Sequence, residues 1–244
     1  MASPLLARSP RPPSRPAPAA RFASLPRAVR PGASHRTGRG PEVLLEARRP
    51  GVNVVVWRRP LGAWLGRRLE PLCRGLGVAF DGPTSARRPD AERLVSALPP
   101  SPARDALADD LCALVERFAA LSGVERPHAH LEALDDDGCR RFHCDYVGLR
   151  LLTTYFGPGT EWLPDDAVDR EALAPSELPP DEANAAIVLD RASVRRARPG
   201  DVIVLKGEGW PGNAGRGAVH RSPALAADGG RRLVFKLTAL GRTP

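Results

Sequence analysis

Apolar residues recur at helical spacing in the first half of the chain. One apolar stripe runs between residues 103 and 121 and consists of Leu107, Leu111, Leu114, Val115, Phe118 and Leu121. This spacing places the stripe on one side of a helix, and Gly123 follows it as a suitable stop. A second helical pattern covers residues 60–76, where Pro71 is expected to end or kink the helix.

The pattern changes after Pro127 to short β-like runs that are separated by turn residues. These runs cover residues 128–134, 147–156, 186–196, 201–206, 217–220 and 231–239, and an earlier strand is predicted over 52–57. Several short strands at such spacing are typical of a sandwich or jelly roll. The sequence therefore predicts an α+β fold. It would be a double-stranded β-helix of the jelly-roll, cupin-like type from about residue 125, with amino-terminal helices packed against it.

Three stretches without periodicity are expected to lie outside these elements. Residues 82–90 form a connection rich in Pro and Arg, and residues 163–185 are acidic and proline-rich, which predicts a long exposed insertion. Residues 1–41 carry few large apolar side chains, so they are predicted to be a disordered tail, with an organellar transit peptide as the alternative. The predicted organisation is this tail, a mostly helical part over 42–124, and the metal-bearing β-helix over 125–244.

The formal net charge of +8 does not indicate nucleic-acid binding once its distribution is considered. Eight of the 36 basic residues lie in residues 1–41, which contain no acid, so the other 28 balance the 28 acidic residues. No basic groove is therefore expected in the folded part, and no apolar run is long enough to predict a transmembrane helix. Four cysteines without a secretory signal predict reduced thiols in a cytoplasmic protein.

The candidate chemistry centres on His143 and Asp145, which lie two residues apart just before an apolar, β-branched run. Side chains two apart in an extended segment point to the same side, so these two can converge. An imidazole and a carboxylate are two thirds of the facial triad that holds non-haem iron(II). His220 is the candidate third ligand, 77 residues after His143, an interval expected when a double-stranded β-helix presents such a triad.

Two other sets of residues could bind a metal. His128, His130 and Glu132 alternate along one predicted strand, which fits either a rival metal set or, preferably, a polar outer strand face. Cys139 and Cys144 flank His143 and could bind zinc with it. The thiol site is less favoured because Cys144 would point away from His143 in an extended segment.

Arginines on the predicted strands are candidates for binding the carboxylate of a cosubstrate. Arg231 and Arg232 open the last strand shortly after His220, and a buried arginine there could bind a carboxylate with two parallel hydrogen bonds. Arg232 is preferred because it joins the strand more directly, and Arg150 is the second candidate. Residues 207–217 are rich in glycine and are expected to form a flexible loop that leads into His220.

Several motifs together resemble a bacterial family known only as domain of unknown function 1826. They are Phe142-His143-x-Asp145, Arg150 to Tyr155 with the following Gly157-Pro158-Gly159-Thr160-Glu161-Trp162, Pro199-Gly200-Asp201-Val202, Leu205-Lys206-Gly207-Glu208 and Val219-His220-Arg221-Ser222-Pro223. The resemblance covers roughly residues 50–240. Tyr155 and Lys206, which lie within these motifs, are further candidates for cosubstrate contacts. The family is loosely linked to bacterial zinc homeostasis, so the resemblance allows a role in zinc homeostasis for this protein.

The order of the motifs is also distantly similar to that of iron(II)/2-oxoglutarate-dependent oxygenases. This similarity implies His143, Asp145 and His220 as metal ligands and Arg232 as the anchor of 2-oxoglutarate. The expected function is an oxygenase of the hydroxylase type, and the substrate, a small molecule or a protein, stays open. The alternative is a non-catalytic, cupin-like protein that binds zinc or another divalent metal ion, and a third reading is a scaffold without metal.

Overall fold

The computed structural model describes residues 34–61, 63–225 and 230–239. Ten strands are present: β1 (His35–Gly38), β2 (Val54–Trp57), β3 (Val78–Pro83), β4 (His128–Leu134), β5 (Leu149–Phe156), β6 (Glu161–Trp162), β7 (Arg195–Arg196), β8 (Val202–Lys206), β9 (His220–Arg221) and β10 (Arg232–Thr238). The helices are α1 (Ala63–Leu72), α2 (Ala91–Leu94), α3 (Pro102–Ser122) and α4 (Pro180–Ile187), with a long 3₁₀ segment at Pro41–Arg48. The fold is therefore mixed α+β.

Seven strands form one large sheet in the order β1-β2-β8-β5-β10-β4-β3. Strands β1 and β2 pair in parallel, and the other neighbours are antiparallel. A small antiparallel sheet has the order β7-β6-β9. Among the described strands the two sheets stay separate, and no strand pairing closes them into a barrel.

The two faces of the large sheet bury different apolar clusters, because side chains alternate along each strand. One face, which we name the outer face, carries Val204, Leu151 and Phe235. These residues pack in the main core with the apolar stripe of α3. The inner face carries the alternate residues, such as Ile203, Leu152 and Val234, and these pack with Trp162 of the small sheet and with Ala218. The inner face is thus the side of the sheet that meets β6 and the segment before β9.

Helix α3 follows directly from its sequence. Ser101 caps its amino terminus by accepting a hydrogen bond from the Arg104 amide at 3.2 Å, and Gly123 ends it in the left-handed region at φ 72°. Its apolar stripe is fully buried in the main core. None of the described helices combines the length and apolar character that crossing a membrane requires.

A buried polar network links α3 to the outer face of the sheet. Asp110 of α3 accepts hydrogen bonds from Arg59 Nη2 at 2.8 Å and from the Tyr155 hydroxyl at 2.6 Å. Burial raises the pKa of the Tyr155 hydroxyl well above its usual value, so Tyr155 acts here as a neutral donor. Because Asp110 is the shared acceptor, it holds both partners in place.

We expect Asp110→Ala to lower the free energy of unfolding by about 2 kcal/mol, because Arg59 and Tyr155 would lose their shared acceptor. The figure lies below that for a fully buried pair, since the Asp110 side chain keeps 20% of its exposure. Urea unfolding measures the change. Tyr155→Phe is the matched control and should cost about 1 kcal/mol; an equal loss for the two variants would contradict the shared-acceptor role.

Two predicted connections contain regular structure. Residues 163–185 were expected to form an exposed insertion and 186–196 a strand, yet α4 spans Pro180–Ile187 and only Arg195–Arg196 form a strand. The helix forms because Ile187 and Asn184 are buried, and the Asn184 side chain bonds backbone groups of residues 140 and 142. Strand β3 lies partly in the predicted 82–90 connection and pairs with β4.

The predicted tail over 1–41 lies largely outside the described residues. Its last part is ordered: β1 pairs in parallel with β2, and the Asp165 amide donates to the Ser34 hydroxyl at 2.9 Å. The ordered part of the chain therefore begins before the predicted border at residue 41. His35 and Thr37 are polar, yet they form a strand because they pair with the free edge of the buried valine strand β2.

Candidate metal centre

Three side chains with metal-ligand atoms converge beside the inner face of the large sheet. One ligand atom each from His143, Asp145 and His220 lie within 4.8 Å of one another. Among the described residues this is the one group of three or more such side chains with that geometry. The structure thus brings together the three residues that the sequence singled out.

Backbone pairing places the two histidines opposite each other. The His143 amide donates to the His220 carbonyl at 3.0 Å, and the His220 amide donates to the His143 carbonyl at 3.0 Å. Directly opposed residues of an antiparallel pair project to the same side. Their ring centroids are accordingly 4.5 Å apart.

Backbone carbonyls set the tautomer of both rings. The Nδ1 atom of His143 lies 2.9 Å from the Arg141 carbonyl, and that of His220 lies 3.1 Å from the Ala218 carbonyl. A carbonyl can only accept, so each Nδ1 carries a proton, and in the neutral form of each ring Nε2 is the nitrogen with the lone pair. In metal sites, a histidine whose Nδ1–H donates to a backbone carbonyl in this way binds the metal ion through Nε2.

One carboxylate oxygen of Asp145 is hydrogen-bonded, and the other faces His220. Its Oδ1 accepts a hydrogen bond from Arg150 Nη1 at 2.5 Å, and Arg150 Nε donates to the Thr238 hydroxyl at 3.3 Å. Its Oδ2 is buried and has no hydrogen-bond partner among the described residues. Arg150 therefore orients the carboxylate through Oδ1 and leaves Oδ2 available.

The contact between Asp145 and His220 brings two acceptor atoms face to face. Asp145 Oδ2 lies 3.4 Å from His220 Nε2. Burial lowers the pKa of His220, which favours the neutral ring, and in that form Nε2 presents a lone pair to the carboxylate. Two buried lone pairs at this distance repel each other unless a cation lies between them. The donor set therefore fits a divalent metal ion.

The glycine-rich segment after β8 supports the loop that carries Asp145. The Glu208 amide donates to the Asp145 carbonyl at 2.8 Å, and the Gly207 amide donates to the Gly148 carbonyl at 3.0 Å. A Cβ at Gly207 would lie 2.0 Å from the Val147 carbonyl oxygen, so only glycine allows this approach. The segment is thus a backbone support for the site, where the sequence predicted a flexible loop.

Two further positioning residues were not predicted from sequence. The Glu208 side chain accepts from the amides of Gly215 and Gly217, which fixes the chain that enters β9 and His220. Asn184 accepts from the Phe142 amide at 2.8 Å, one residue before His143. Glu208 lies in one of the motifs that resemble the family, and that motif could have indicated its role. The sequence around Asn184 contains no motif that would indicate a role for it.

Arg232 lies on the inner face, two residues before Val234 of the second apolar cluster. It is only 3% exposed, and its Nε and Nη1 atoms have no hydrogen-bond partner among the described residues. Burial lowers the pKa of its guanidinium to about 10, and the charge of Glu132 offsets this only in part. Arg231, the alternative, is partly exposed and donates to the Cys73 carbonyl.

The structure corrects two of the predicted cosubstrate contacts. Tyr155 lies on the outer face and donates to Asp110, as described above. Lys206 shares the outer side with Val204; its ammonium donates to the Arg49 carbonyl at 2.9 Å and lies over the Trp210 ring. Both face away from the metal centre because strand alternation turns them to the opposite side. Arg150 does reach the centre, through Asp145.

The side chains of the alternative histidine set, His128, His130 and Glu132, are engaged in contacts with one another and with Asp81. His130 Nε2 lies 2.9 Å from Glu132 Oε2, while its Nδ1 lies 3.3 Å from Asp81 Oδ1. His128 Nε2 also contacts Asp81 Oδ1, at 3.3 Å. With both nitrogens of His130 engaged, this row does not form a metal-ligand group in the part of the chain that the structure describes.

The thiols next to His143 do not take part in the centre. Cys139 is exposed, and Cys144 Sγ lies 3.2 Å from the Gly217 carbonyl, to which the thiol donates. Burial raises the pKa of Cys144 to about 11, so its thiol stays protonated near neutral pH. Zinc binding through a thiolate at this position is therefore disfavoured.

Comparison with solved structures finds distant likenesses. A dioxygenase for auxin oxidation from rice matches with 17% identity over 75% of this chain, at a TM-score of 0.38. The chain spans 65% of that protein, just under two thirds of its length. The dioxygenase for auxin oxidation 1 from Arabidopsis thaliana, in complex with 2-oxoglutarate, matches with 11% identity over 86% of this chain and 92% of its own, at 0.44.

A Pseudomonas putida prolyl-4-hydroxylase matches with 15% identity over 81% of this chain and 96% of its own, at a TM-score of 0.40. These TM-scores all lie below 0.5, so the likenesses are too weak to carry a functional assignment. No curated protein matches the chain.

A family model, by contrast, matches most of the chain. It covers residues 38–238, which include the three converging side chains, the glycine-rich support and Arg232. The chain therefore belongs to the family described as "Protein of unknown function (DUF1826)".

Proposed function

We propose that this protein is an oxygenase that uses iron(II) and 2-oxoglutarate, with His143, Asp145 and His220 as the metal ligands. The observation that carries the proposal is the convergence of three side chains: two histidines whose Nδ1 atoms face backbone carbonyls, and Asp145, whose buried Oδ2 has no hydrogen-bond partner among the described residues. Two imidazoles and one carboxylate on one side of a metal ion are the ligand set of non-haem iron(II) oxygenases.

The proposed cosubstrate follows from Arg232. A buried guanidinium with unpartnered donors is costly unless an anion binds it, and a carboxylate matches its planar fork. Arg232 and Arg150 project from the same face of neighbouring strands, since Arg150 alternates with Leu152 as Arg232 does with Val234. A dicarboxylate such as 2-oxoglutarate could therefore reach the metal centre at one end and Arg232 at the other.

Each group of the chain then has a defined task. Arg150 would hold Asp145 in its ligating orientation, and the Arg141 and Ala218 carbonyls would keep both histidines in the ligating tautomer. Bound iron(II) would supply the activation of dioxygen that couples loss of CO₂ from 2-oxoglutarate to oxidation of a substrate. We also propose that the two sheets are the halves of a double-stranded β-helix, since they enclose the second apolar cluster beside the site.

The test is to purify the wild-type chain without oxygen, load it with iron(II), and follow 2-oxoglutarate on exposure to oxygen. We expect about one iron per chain and, with ascorbate added as the two-electron reductant that replaces the missing substrate, slow formation of succinate and CO₂. Stoichiometric metal with no 2-oxoglutarate binding would instead favour the cupin-like metal-binding alternative, and zinc would then be compared with iron(II). Absence of metal binding would contradict both functions.

A further inference from the structure

A second cation on the inner face of β10 has no direct partner among the residues that the structure describes. Lys236 lies on the same side as Arg232 and Val234 by strand alternation, and it pairs with Leu152 of β5 and His130 of β4. It is partly buried, yet no hydrogen bond or ion pair to its ammonium is found within the described part of the chain. A central strand of the sheet therefore presents an ammonium without a direct hydrogen-bond or ion-pair partner among the described residues, beside the metal centre.

The acidic groups around Lys236 are engaged elsewhere. Glu132 is bonded to His130 Nε2, and Asp81 contacts both histidines of β4. Asp145 is bonded to Arg150 through one oxygen and turns the other toward His220. These carboxylates are near enough to favour the charged form of Lys236, but each has another partner at contact distance.

Lys236 lies near the end of β10 that is closer to Asp145 and the other candidate metal ligands. Thr238, the next residue on this side, accepts a hydrogen bond from Arg150, which holds Asp145. Arg232 lies four residues before Lys236, at the other end of the strand, and Glu132 is the charge that acts on it. Lys236 is thus the cation of β10 closer to the ligands.

The chemistry of this position calls for an anion. A partly buried ammonium without a partner lowers the stability of the ligand-free protein, and binding of a carboxylate recovers that cost. Burial, followed by the charge of Arg150, lowers the pKa of Lys236, which agrees with the absence of a bonded acid. With both cations on one strand face, the site suits a ligand with a negative group at each end.

We propose that Lys236 is a cosubstrate-binding residue: its ammonium binds the carboxylate of the 2-oxo acid that lies nearest the metal, while Arg232 binds the carboxylate at the far end. The inference rests on the proposed function. It adds a residue that binds the 2-oxo acid end of the cosubstrate and that has no role in holding the metal.

Lys236→Met tests the role, with Lys236→Arg as the variant that keeps a cation. The chain contains two lysines, so Lys206→Met, on the outer face, is the matched control. Binding of 2-oxoglutarate to the iron(II)-loaded proteins is measured without oxygen by calorimetry. We expect Lys236→Met to raise the Kd by about tenfold or more, and Lys236→Arg to raise it by about threefold at most. All variants should retain wild-type metal content.

A chemical readout on the wild-type protein covers the case in which the Met variant fails to fold. Acetylation of lysines, followed by peptide mass spectrometry, should show that 2-oxoglutarate protects Lys236 at least about threefold and leaves Lys206 unchanged. An unchanged Kd in a folded Lys236→Met protein, or no protection of Lys236, overturns this inference alone. Failure of the wild-type protein to bind 2-oxoglutarate overturns the inference and the proposed function together.

Discussion

Alanine at His143, Asp145 or His220 is expected to abolish stoichiometric iron(II) binding. Each residue supplies one of three protein ligands, and the remaining two cannot hold the metal against buffer and water. A mere positioning residue would cost only about 10–100-fold in affinity. Metal analysis after anaerobic loading and desalting measures the loss.

The fold should survive these changes, because the pairing of His143 with His220 uses backbone amides and carbonyls that alanine keeps. Circular dichroism checks this point. His128→Ala and Cys139→Ser are the controls and should retain full metal content, since neither side chain reaches the centre. Metal retained in His220→Ala, or lost in Cys139→Ser, would argue against the triad and for zinc binding by a different set.

Arg232→Met is expected to weaken 2-oxoglutarate binding by about 2–4 kcal/mol, because a desolvated carboxylate would lose its bidentate partner. The same substitution should stabilise the ligand-free protein by about 1–2 kcal/mol, since it removes a buried guanidinium with unpartnered donors. A loss in ligand affinity together with a gain in stability distinguishes a binding residue from a structural one. Calorimetry and urea unfolding measure the two effects.

Arg231→Met is the matched control for this experiment. Arg231 is the chain neighbour of Arg232, but it donates to the Cys73 carbonyl, so its loss should leave 2-oxoglutarate affinity unchanged. Equal affinity for wild type and Arg232→Met would remove Arg232 as the anchor. If Arg150→Met then weakened 2-oxoglutarate binding at normal metal content, the anchor would have to be reassigned to Arg150.

Local pattern alone determined the longest elements. The helix predicted over 103–121 is found at Pro102–Ser122, and the strand predicted over 128–134 has those bounds in the structure. The strands predicted over 201–206 and 231–239 are found at Val202–Lys206 and Arg232–Thr238. Periodicity and caps act within a few residues, so they can be recognised in the sequence without knowledge of the neighbours.

The shorter elements depended on tertiary contacts. Strand β1 forms because it pairs with the edge of the buried valine strand β2. Helix α4 forms because Asn184 and Ile187 are buried against the rest of the fold. The sequence of residues 163–185 is acidic and proline-rich, and it carries no periodic signal strong enough to reveal these contacts. The number and packing of the sheets likewise follow from long-range pairing, which local sequence does not encode.

The candidate ligands were accessible to sequence reasoning because His143 and Asp145 are two residues apart and His220 is the sole histidine downstream of them. What only the tertiary structure decided is the role of each cation around them. Arg150, Arg232, Lys206 and Lys236 all lie on predicted strands, and their chemistry is similar. Strand alternation and cross-strand partners separate these cations. Arg150 holds Asp145, and Lys206 faces the opposite core. Arg232 and Lys236 lie on the inner face and have no hydrogen-bond or ion-pair partner in the described part of the chain. The physical reason is that a charged side chain acquires its role from the groups it meets in the fold, and those groups lie far away along the chain.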